Sequence, residues 1–367
     1  MSSLKCGIVG LPNVGKSTLF NSLLKKRVAL SANYPFATIE PNTGIVPVPD
    51  PRLLTLANIT REEEKMQSDP PIIYATVEFV DIAGLVKGAS EGAGLGNKFL
   101  SHIREVDAIV HVLRDFEDTN IVREGSTDPL SDRDTIETEL ALADMQVMEK
   151  LVAAQDKAAR TTGADPIEKQ KLEILQSINK ILGEGKILGY YDVGDERLKN
   201  WFQTLPLLTT KPILYVYNVS EDSYQDRLAQ GITNPNEMVV SAKLEEELVE
   251  LSDEERTEYL AELGIKETGL ERLIKKAYQM LGLASFLTAG KKEVKAWTIK
   301  QGMKAPEAAG VIHTDFTKKF IRAEVIEFDK LVDAGSRGVA KTKGWVRTEG
   351  KEYEVKDGDI IEFLIGS

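Results

Sequence analysis

A glycine-rich segment near the start of the chain has the spacing of a phosphate-binding loop. Residues 10–18 read GLPNVGKST, after the apolar run 6–9 and before a stretch with helical character. In such loops, backbone N–H groups surround the phosphates at a helix N-terminus, a lysine reaches the β- and γ-phosphates, and a hydroxyl ligates Mg²⁺. The spacing therefore predicts a nucleoside triphosphate site in which Lys16 contacts phosphate and Ser17 binds Mg²⁺.

The neighbouring loop residues complete the predicted phosphate contacts. These residues are Asn13, Val14, Gly15 and Thr18. Two interpretations of Asn13 stay open: it could ligate a monovalent cation such as K⁺ beside the phosphates, or it could only hydrogen bond to the loop backbone.

Two later segments could form the moving parts of a switch. The strand-like run 76–80 ends at Asp81, an acidic residue that can hold Mg²⁺ through water. Gly84 could offer its amide to the γ-phosphate, and Thr38, in the Pro-bounded loop 35–42, could close over the metal only while that phosphate is present. The predicted catalytic residues are Lys16, Thr38 and Gly84, and the predicted metal ligands are Ser17, Thr38 and Asp81.

Hydrolysis is expected to be slow. Many GTPases have a glutamine directly after the glycine that contacts the γ-phosphate, and this chain has Leu85 there. Leucine cannot orient the attacking water, so another group or a partner must do so. The segment from Gly84 to Gly96 is rich in glycine and is predicted to be a mobile second switch.

Base recognition is expected where the predicted strand 213–217 ends. GTP-specific proteins of this class have Asn-Lys-x-Asp there, whereas this chain has Asn218-Val-Ser-Glu221. Val219 removes the lysine stem that packs over guanine, and Glu221 places its carboxylate one methylene further out. Each unsatisfied polar group of a mispaired base costs about 1–3 kcal/mol. Adenine, which presents an N6 amine donor and an N1 acceptor, could instead be met by backbone groups near Val219 and by Asn218. We therefore expect ATP to be preferred over GTP, with Asn218, Val219, Glu221 and Ser241 near the base.

Ser241 begins a short segment, Ser-Ala-Lys, that follows the next predicted strand. This class of protein contacts the base edge at that point. Lys243, the last residue of the segment, is equally compatible with a plain turn at the strand end.

Composition indicates an ordinary globular chain. With 367 residues, two or three domains are expected. The single Cys6 permits no internal disulfide, and neither a secretory leader nor an apolar run of about 18 residues is present, so we expect a cytoplasmic protein without membrane attachment. The three histidines, His102, His111 and His313, have no metal-ligand spacing and are expected to be core or surface residues.

Charge is distributed unevenly along the chain. Residues 284–367 contain 15 Lys/Arg and 13 Asp/Glu, and the net charge of the whole chain is −12. The C-terminal cations form one cluster around Trp297 and one around Trp345. They are Lys291, Lys292, Lys295, Lys300 and Lys304 in the first, and Arg337, Lys341, Lys343, Arg347 and Lys351 in the second. RNA contact and simple solvated charge are both open interpretations.

Strands and helices alternate along most of the chain, which indicates a mostly parallel α/β sheet. The predicted strands are Lys5–Val9, Ile72–Val80, Ala108–Leu113, Ile213–Tyr217 and Met238–Val240. About a hundred residues separate the third of these from the fourth, too many for one crossover. Apolar residues recur at helical spacing over 136–160 and 167–182, with a break at 161–166, and so predict an inserted antiparallel helical hairpin.

The C-terminal segment has a different pattern. Short alternating stretches at Lys295–Ile299, Tyr353–Val355 and Asp359–Ile365, separated by turn signals, predict a compact sheet crossed by a helix. The predicted domains are a nucleotide-binding domain over 1–135 and 206–283, the hairpin over 136–205, and a C-terminal domain over 284–367.

Together, the motifs resemble a known family, the YchF subfamily of Obg-like ATPases. The resemblance rests on GLPNVGKST, NYPFATIEPN, VEFVDIAGLVKGASEGAGLGNKFL, the altered base motif NVSE and the ending YEVKDGDIIEFLIG, and it covers nearly the whole chain. It implies a P-loop domain of the translation-factor-related class, an inserted α-helical coiled-coil hairpin and a C-terminal ubiquitin-like β-grasp domain of the TGS type.

The resemblance also implies roles for individual residues. Residues 13–18 would contact phosphate, Ser17 and Thr38 would bind Mg²⁺, and Val219 would contact adenine. It implies association with the ribosome or its large subunit and a role in translation or stress regulation. One departure is visible, because some relatives carry a histidine, proposed to assist hydrolysis, where this chain has Arg123.

Three hypotheses for the function follow. The first is an ATPase switch whose nucleotide state sets how the hairpin and the C-terminal domain meet a ribosomal partner. The second is an RNA- or ribosome-binding scaffold whose nucleotide is mainly structural. A metabolic phosphotransferase is the weakest, because no segment resembles a lid over an acceptor pocket.

Overall fold

The computed structural model describes residues 4–30, 42–82, 94–117, 128–163, 165–189 and 191–366. The strands are β1 Lys5–Val9, β2 Thr43–Pro47, β3 Ile72–Ile73, β4 Thr76–Asp81, β5 Ala108–Asp115, β6 Ile213–Val219, β7 Glu237–Val240, β8 Leu283–Ala289, β9 Val294–Lys300, β10 Phe320–Ile326, β11 Arg347–Glu349 and β12 Ile360–Ile365.

The helices are α1 Lys16–Leu30, α2 Arg52–Glu63, α3 Gly94–Glu105, α4 Pro129–Arg160, α5 Pro166–Gly183, α6 Glu196–Gln203, α7 Glu221–Ala229, α8 Ala242–Glu250, α9 Asp253–Glu262, α10 Gly269–Met280, α11 Ala305–Ile312, α12 Thr314–Lys319, α13 Phe328–Ala334 and α14 Arg337–Thr342. None of these helices, within the ranges described, has the length and apolar character of a membrane span.

The first sheet contains the strands that lead into the predicted nucleotide site. Its order is β2-β4-β1-β5-β6-β7, and β1 pairs in parallel with β4 and β5, as β6 does with β5 and β7. Ile8 is in register with Asp81, and Asp115 is in register with Val219. The carboxyl ends of the central strands therefore meet at one edge, where open α/β sheets bind ligands. The α/β class with a mostly parallel sheet is confirmed.

The prediction of a single strand over Ile72–Val80 is wrong. Ile72 and Ile73 form β3, which pairs in parallel with β9 of the second sheet, whereas β4 belongs to the first sheet. Between the two strands, the carbonyl of Ala75 accepts a 2.8 Å hydrogen bond from the N–H of Val48. Residues 72–80 form one run of mostly β-branched and aromatic residues, which gives no sign of such a change of partner. The strand β2 and the helix α2 were also not predicted.

The two predicted helices of the insertion are present, and α4 begins earlier than expected, at Pro129. Asp128 and Asp165 cap α4 and α5 by accepting hydrogen bonds from backbone N–H groups, and a proline follows each cap. The helices pack against each other through residues that are 1 % exposed or less. These are Met148, Leu175, Ile178 and Leu182. The coiled-coil geometry itself stays a prediction.

A buried carboxylate on α4 of this hairpin is hydrogen bonded to the segment that leads into β6. Asp144, 1 % exposed, accepts hydrogen bonds from the N–H of Leu208 (2.8 Å), the N–H of Thr209 (2.8 Å) and the Thr209 hydroxyl (2.7 Å). Burial raises the pKa of Asp144, and these three donors oppose that rise. The hairpin is therefore held to the segment that directly follows the insertion.

The second sheet has the order β11-β10-β12-β8-β9-β3. Its core includes Phe286, Ile299, Val325 and Ile361, each 3 % exposed or less. The predicted strands at 295–299 and 359–365 correspond to β9 and β12, but the predicted strand Tyr353–Val355 is wrong. That segment contributes only an isolated bridge between Glu354 and Lys304. Four short helices, α11 to α14, accompany this sheet, where one was expected. The TGS assignment stays a prediction.

The chain separates into two compact units. One comprises Met1–Leu23, Glu40–Gly44 and Glu78–Leu270, and the other comprises Leu24–Ile39, Ile45–Val77 and Glu271–Ser367. Ile45–Val77 thus group with the C-terminal residues, although we assigned them to the nucleotide-binding domain. The domain boundaries drawn from the sequence remain predictions.

Candidate nucleotide-binding site

The phosphate-binding loop connects β1 to α1 and is anchored by apolar side chains. Leu11 and Val14 are 6 % and 2 % exposed, whereas Asn13 and Ser17 face solvent. The backbone is left-handed at Asn13 (φ 61°) and at Gly15 (φ 96°), a conformation that glycine and asparagine adopt most readily. The loop therefore presents its polar side at the carboxyl edge of the first sheet.

Asn218 connects this loop to the N-terminus of α8, which follows β7. Its side-chain Nδ2 donates to the carbonyl of Val14 at 2.9 Å, and its Oδ1 accepts from the N–H of Ala242 at 2.9 Å. A Cβ at Gly15 would collide with the Asn218 amide, so this close approach requires glycine. Asn218 is 4 % exposed, and its amide is committed to positioning two loops. We expected Asn218 to contact the base directly.

Lys16 is folded against its own loop. It is 8 % exposed, and its Nζ donates to the carbonyl of Leu11 at 2.7 Å. Burial lowers the pKa of Lys16 to about 8, and the negative charge of Asp81 partly opposes this change. Burial likewise raises the pKa of Asp81, with Lys16 opposing it. The two groups therefore form an electrostatically coupled pair at the edge where phosphate is expected.

The donor set beside the loop fits Mg²⁺. Ser17 offers a solvent-facing hydroxyl at the first turn of α1, and Asp81 offers a carboxylate at the end of β4. Hydroxyl and carboxylate oxygens are the hard ligands that Mg²⁺ prefers, and this ion keeps several waters when it binds beside phosphates. Ser17 and Asp81 are therefore suited to the metal role that the sequence predicted for them.

A cavity of about 570 Å³ extends from the phosphate-binding loop toward the ends of β5, β6 and β7. The residues that line it are Asn13, Gly15, Lys16, Ser17, Thr18, Phe116, Glu117, Asn218, Val219, Ser220, Glu221, Asp222, Ala242, Lys243 and Glu246. Most of the predicted phosphate and base residues thus border one space, although they come from segments some 200 positions apart. Two predicted contacts, Val14 and Ser241, are not among the lining residues.

At the base end of the cavity, the side chains of Val219 and Ser241 are both buried. The Val219 side chain is 3 % exposed and packs against Tyr224, Val239 and Leu244, so chiefly its backbone is left to face a ligand. Ser241 is fully buried, and its hydroxyl accepts from the N–H of Leu244 at 3.5 Å as the cap of α8. Ser241 therefore orients a helix, where we expected a base contact.

Two charged residues of the rim form an ion pair. Lys243 Nζ lies 2.8 Å from Glu221 Oε2, and the side chains are 72 % and 32 % exposed. Glu221 opens α7 and Lys243 lies in the first turn of α8. The pair therefore spans the mouth of the cavity where the base is expected.

Phe116 and Glu117 line the cavity and were not predicted as site residues. Arg114, only 2 % exposed, supports this segment: its guanidinium carbon lies 4.5 Å from the centre of the Phe116 ring, and its Nε donates to the Phe116 carbonyl at 3.3 Å. Their position in the sequence could have indicated this role, because they directly follow β5, whose carboxyl end faces the site.

Several predicted residues lie outside the described part of the chain. These are Thr38, Gly84, Leu85 and Arg123. Their assigned roles remain expectations from the sequence.

Comparison with known proteins gives family-model matches to an N-terminal and a C-terminal segment of the chain. A family model described as "50S ribosome-binding GTPase" matches residues 5–157, and one described as "Protein of unknown function (DUF933)" matches residues 283–366. The chain is 49 % identical to the ribosome-binding ATPase YchF of Bacillus subtilis, over 98 % of this chain and 99 % of the relative. It is 48 % identical to the protein of the same name from Haemophilus influenzae, over 98 % of each.

A solved structure is similar over the same extent. The YchF GTPase of Schizosaccharomyces pombe superimposes with a TM-score of 0.85 at 37 % identity, covering 99 % of this chain and 98 % of that one. The printed names of these relatives differ on the nucleotide, because the bacterial proteins are called ATPases and the yeast protein a GTPase. Base selection in this chain therefore has to be argued from its own residues.

Proposed function

This chain belongs to the YchF family, and on that premise we propose that it is a Mg²⁺-dependent ATPase that binds ribosomes and changes conformation with its nucleotide. One geometric observation carries the proposal. The amide of Asn218 ties the phosphate-binding loop at Val14 to the base-side loop at Ala242, so one cavity contains both a phosphate cradle and a base rim.

The base rim favours adenine over guanine. Guanine recognition in related proteins uses a lysine stem over the ring and an aspartate that accepts from N1–H and the exocyclic amine. Here the stem is replaced by the buried Val219, and the carboxylate of Glu221 is ion-paired with Lys243. The backbone beside Val219 offers polar groups of its own to adenine. We therefore propose that ATP binds more tightly than GTP.

At the phosphate end, Lys16 supplies the main positive charge. When phosphate oxygens approach, its ammonium exchanges the carbonyl of Leu11 for them, and its pKa rises from the present value of about 8. Ser17 and Asp81 would hold Mg²⁺, which neutralises charge on the β- and γ-phosphates. Thr38 and Gly84 are proposed to close over the γ-phosphate.

Hydrolysis is proposed to be slow in the isolated protein, because Leu85 has no group that orients water. Asn13 borders the phosphate end of the cavity, and K⁺ binding there is an additional proposal. Its alternative role, a hydrogen bond within the loop, would leave turnover independent of K⁺.

Ribosome binding is carried over from the relatives' names, and it would place the protein in the cytoplasm. The C-terminal cation clusters offer a chemical route to RNA. Lys295 Nζ lies 3.6 Å from the centre of the Trp297 ring, and Lys343 Nζ lies 4.4 Å from that of Trp345. Other cations of these clusters are paired with acidic residues. The pairs are Lys291–Glu64, Lys304–Glu352, Lys341–Glu324 and Arg347–Glu327. We therefore propose that any RNA contact centres on the two tryptophans and their lysines.

The competing function is a ribosome-binding scaffold with a structural nucleotide. Both functions predict binding to ribosomal particles, but only the switch predicts that binding depends on the nucleotide. Ribosomes are therefore incubated with the protein and a non-hydrolysable ATP analogue, with ADP, or without nucleotide, and the bound fraction is measured by sedimentation.

The switch requires a bound fraction that differs between the ATP analogue and ADP. Lys16→Ala, which removes the phosphate-binding ammonium, should abolish this difference. Equal binding in all three states would support the scaffold, and no binding in any state would remove the ribosome from the proposal.

A further inference from the structure

We propose that Lys243 is a positioning residue for base selection, because its ammonium holds the Glu221 carboxylate in an ion pair that keeps it from reading guanine. The inference deepens the proposed function and rests on it. The observation behind it is the 2.8 Å contact between Lys243 Nζ and Glu221 Oε2, made by two residues that both line the nucleotide cavity.

Guanine and adenine make opposite demands on a carboxylate at this position. Guanine presents two donors side by side, N1–H and the exocyclic amine, so its recognition uses both oxygens of one carboxylate. Adenine has no such pair of donors, because its N1 is an acceptor. A lysine that occupies Oε2 therefore costs guanine one of two hydrogen bonds and places a cation beside the remaining donors. Adenine loses little.

The backbone of Lys243 is fixed by the hydrogen bonds of the residues before it. Ala242 donates its N–H to Asn218, and the Ser241 hydroxyl caps α8. Glu221 is fixed in turn as the first residue of α7. The hydrogen bond to Glu221 is the largest cause of the raised pKa of Lys243, so the lysine is charged throughout the physiological range.

Because acidic residues lie near the ion pair, the ratio of the ATP affinity to the GTP affinity is more informative than either affinity alone. Asp222 and Glu246 also line the cavity, so removal of the Lys243 charge leaves a more negative mouth that repels every triphosphate. That repulsion lowers the affinity for ATP and for GTP alike. Only the release of the Glu221 carboxylate changes the GTP affinity relative to the ATP affinity.

The experiment measures dissociation constants for non-hydrolysable ATP and GTP analogues by calorimetry. Lys243→Met should raise the GTP affinity relative to the ATP affinity by about two- to five-fold, the range expected for an exposed ion pair. Lys243→Arg, which can keep the pair, should retain the wild-type ratio. Lys266→Met, which removes an exposed lysine outside the cavity, is the matched control and should also retain it.

A double-mutant cycle separates this role from a merely structural one. In a Glu221→Gln background the carboxylate is gone, so the further change Lys243→Met should leave the ATP/GTP ratio unchanged. Screening gives a second readout: as salt approaches 1 M the Debye length falls to about 3 Å, and the wild-type ratio should move toward that of Lys243→Met.

The inference fails if Lys243→Met keeps the wild-type ratio, or if it shifts the ratio equally with and without Glu221. These outcomes differ from failure of the proposed function. A wild-type protein that binds neither analogue is no nucleotide-binding protein, and one that binds both equally has no base preference for Lys243 to set.

Discussion

The side-chain amide of Asn218 and the carbonyl of Val14 lie 2.9 Å apart and are hydrogen bonded across 204 positions of sequence. This contact places the end of β6 against the phosphate-binding loop. Because the same side chain accepts from Ala242, one residue fixes the spacing between the phosphate end and the base end of the cavity.

Replacement of Asn218 by Ala should weaken nucleotide binding without changing base preference. The change leaves the Val14 carbonyl and the Ala242 N–H without this partner in a buried site, at about 1–3 kcal/mol each. We expect the affinities for ATP and GTP analogues to fall by about ten- to a hundred-fold together. Asn234→Ala is the control, because Asn234 bonds to Glu237 and does not line the cavity. Calorimetric titration measures both, and a loss confined to one analogue would contradict the positioning role.

ATP affinity should depend on pH through Lys16. Its pKa is about 8 in the free protein, and bound phosphate raises it, so binding takes up a proton wherever the free lysine is neutral. The affinity is therefore fully present well below pH 8 and falls as pH rises through 8, by up to about ten-fold per pH unit.

Titrations between pH 7 and pH 9.5 check the dependence on Lys16. A Lys16→Arg variant, whose guanidinium stays charged, should bind more weakly but with a flat profile over this interval. A wild-type profile as flat as that of the variant would show that Lys16 carries its proton throughout.

Replacement of Asp144 by Ala should strongly destabilise the unit that contains the hairpin. The N–H groups of Leu208 and Thr209 lose their buried acceptor, which costs about 3 kcal/mol or more of unfolding free energy. Asp156→Ala on the same helix removes only a partly exposed ion pair with Arg160 and should cost about 0.5 kcal/mol or less. Urea unfolding compares the midpoints, and equal losses in the two variants would refute the special role of Asp144.

His111 should make the protein sensitive to acid. It is 1 % exposed, and burial, followed by the charges of Arg133 and Lys16, lowers its pKa from 6.5 to about 3. Between these values the unfolded chain binds a proton that the folded chain does not, so stability falls as pH falls, by about 1.4 kcal/mol per pH unit from this group.

The slope of unfolding free energy against pH tests this in wild type and His111→Leu. The variant has no histidine to titrate at this position and should have a smaller slope over that window. Parallel slopes would mean that other groups account for acid sensitivity.

Residue types and spacing predicted a group of residues that the structure places around one cavity where they belong to one continuous segment. The loop from Asn13 to Thr18 is a continuous segment, and Lys16 and Ser17 occupy the positions predicted for them. Distant partners were harder to predict, because the roles of Asn218 and Ser241 depend on which backbone groups the fold brings within hydrogen-bonding distance.

The remaining differences also have physical causes. Val219 is the last residue of the apolar strand β6, and only packing decides that its side chain joins the core with Tyr224. Phe116 lines the cavity because Arg114 supports its ring, a contact that no motif encodes. Ile72–Ile73 and Thr76–Asp81 form one run of strand-forming residues in sequence, yet hydrogen bonding assigns them to different sheets.

The hydrogen bonds of Asp144 and of Asn218 hold the chain at the two ends of β6. Thr209 is hydrogen bonded to Asp144 of the hairpin shortly before the strand begins. Asn218 is hydrogen bonded to Val14 of the phosphate-binding loop near the strand's end. A strand hydrogen bonded to neighbours on both sides, as β6 is to β5 and β7, resists stretching. The distance between these two buried contacts is therefore fixed by the rise of a single extended strand.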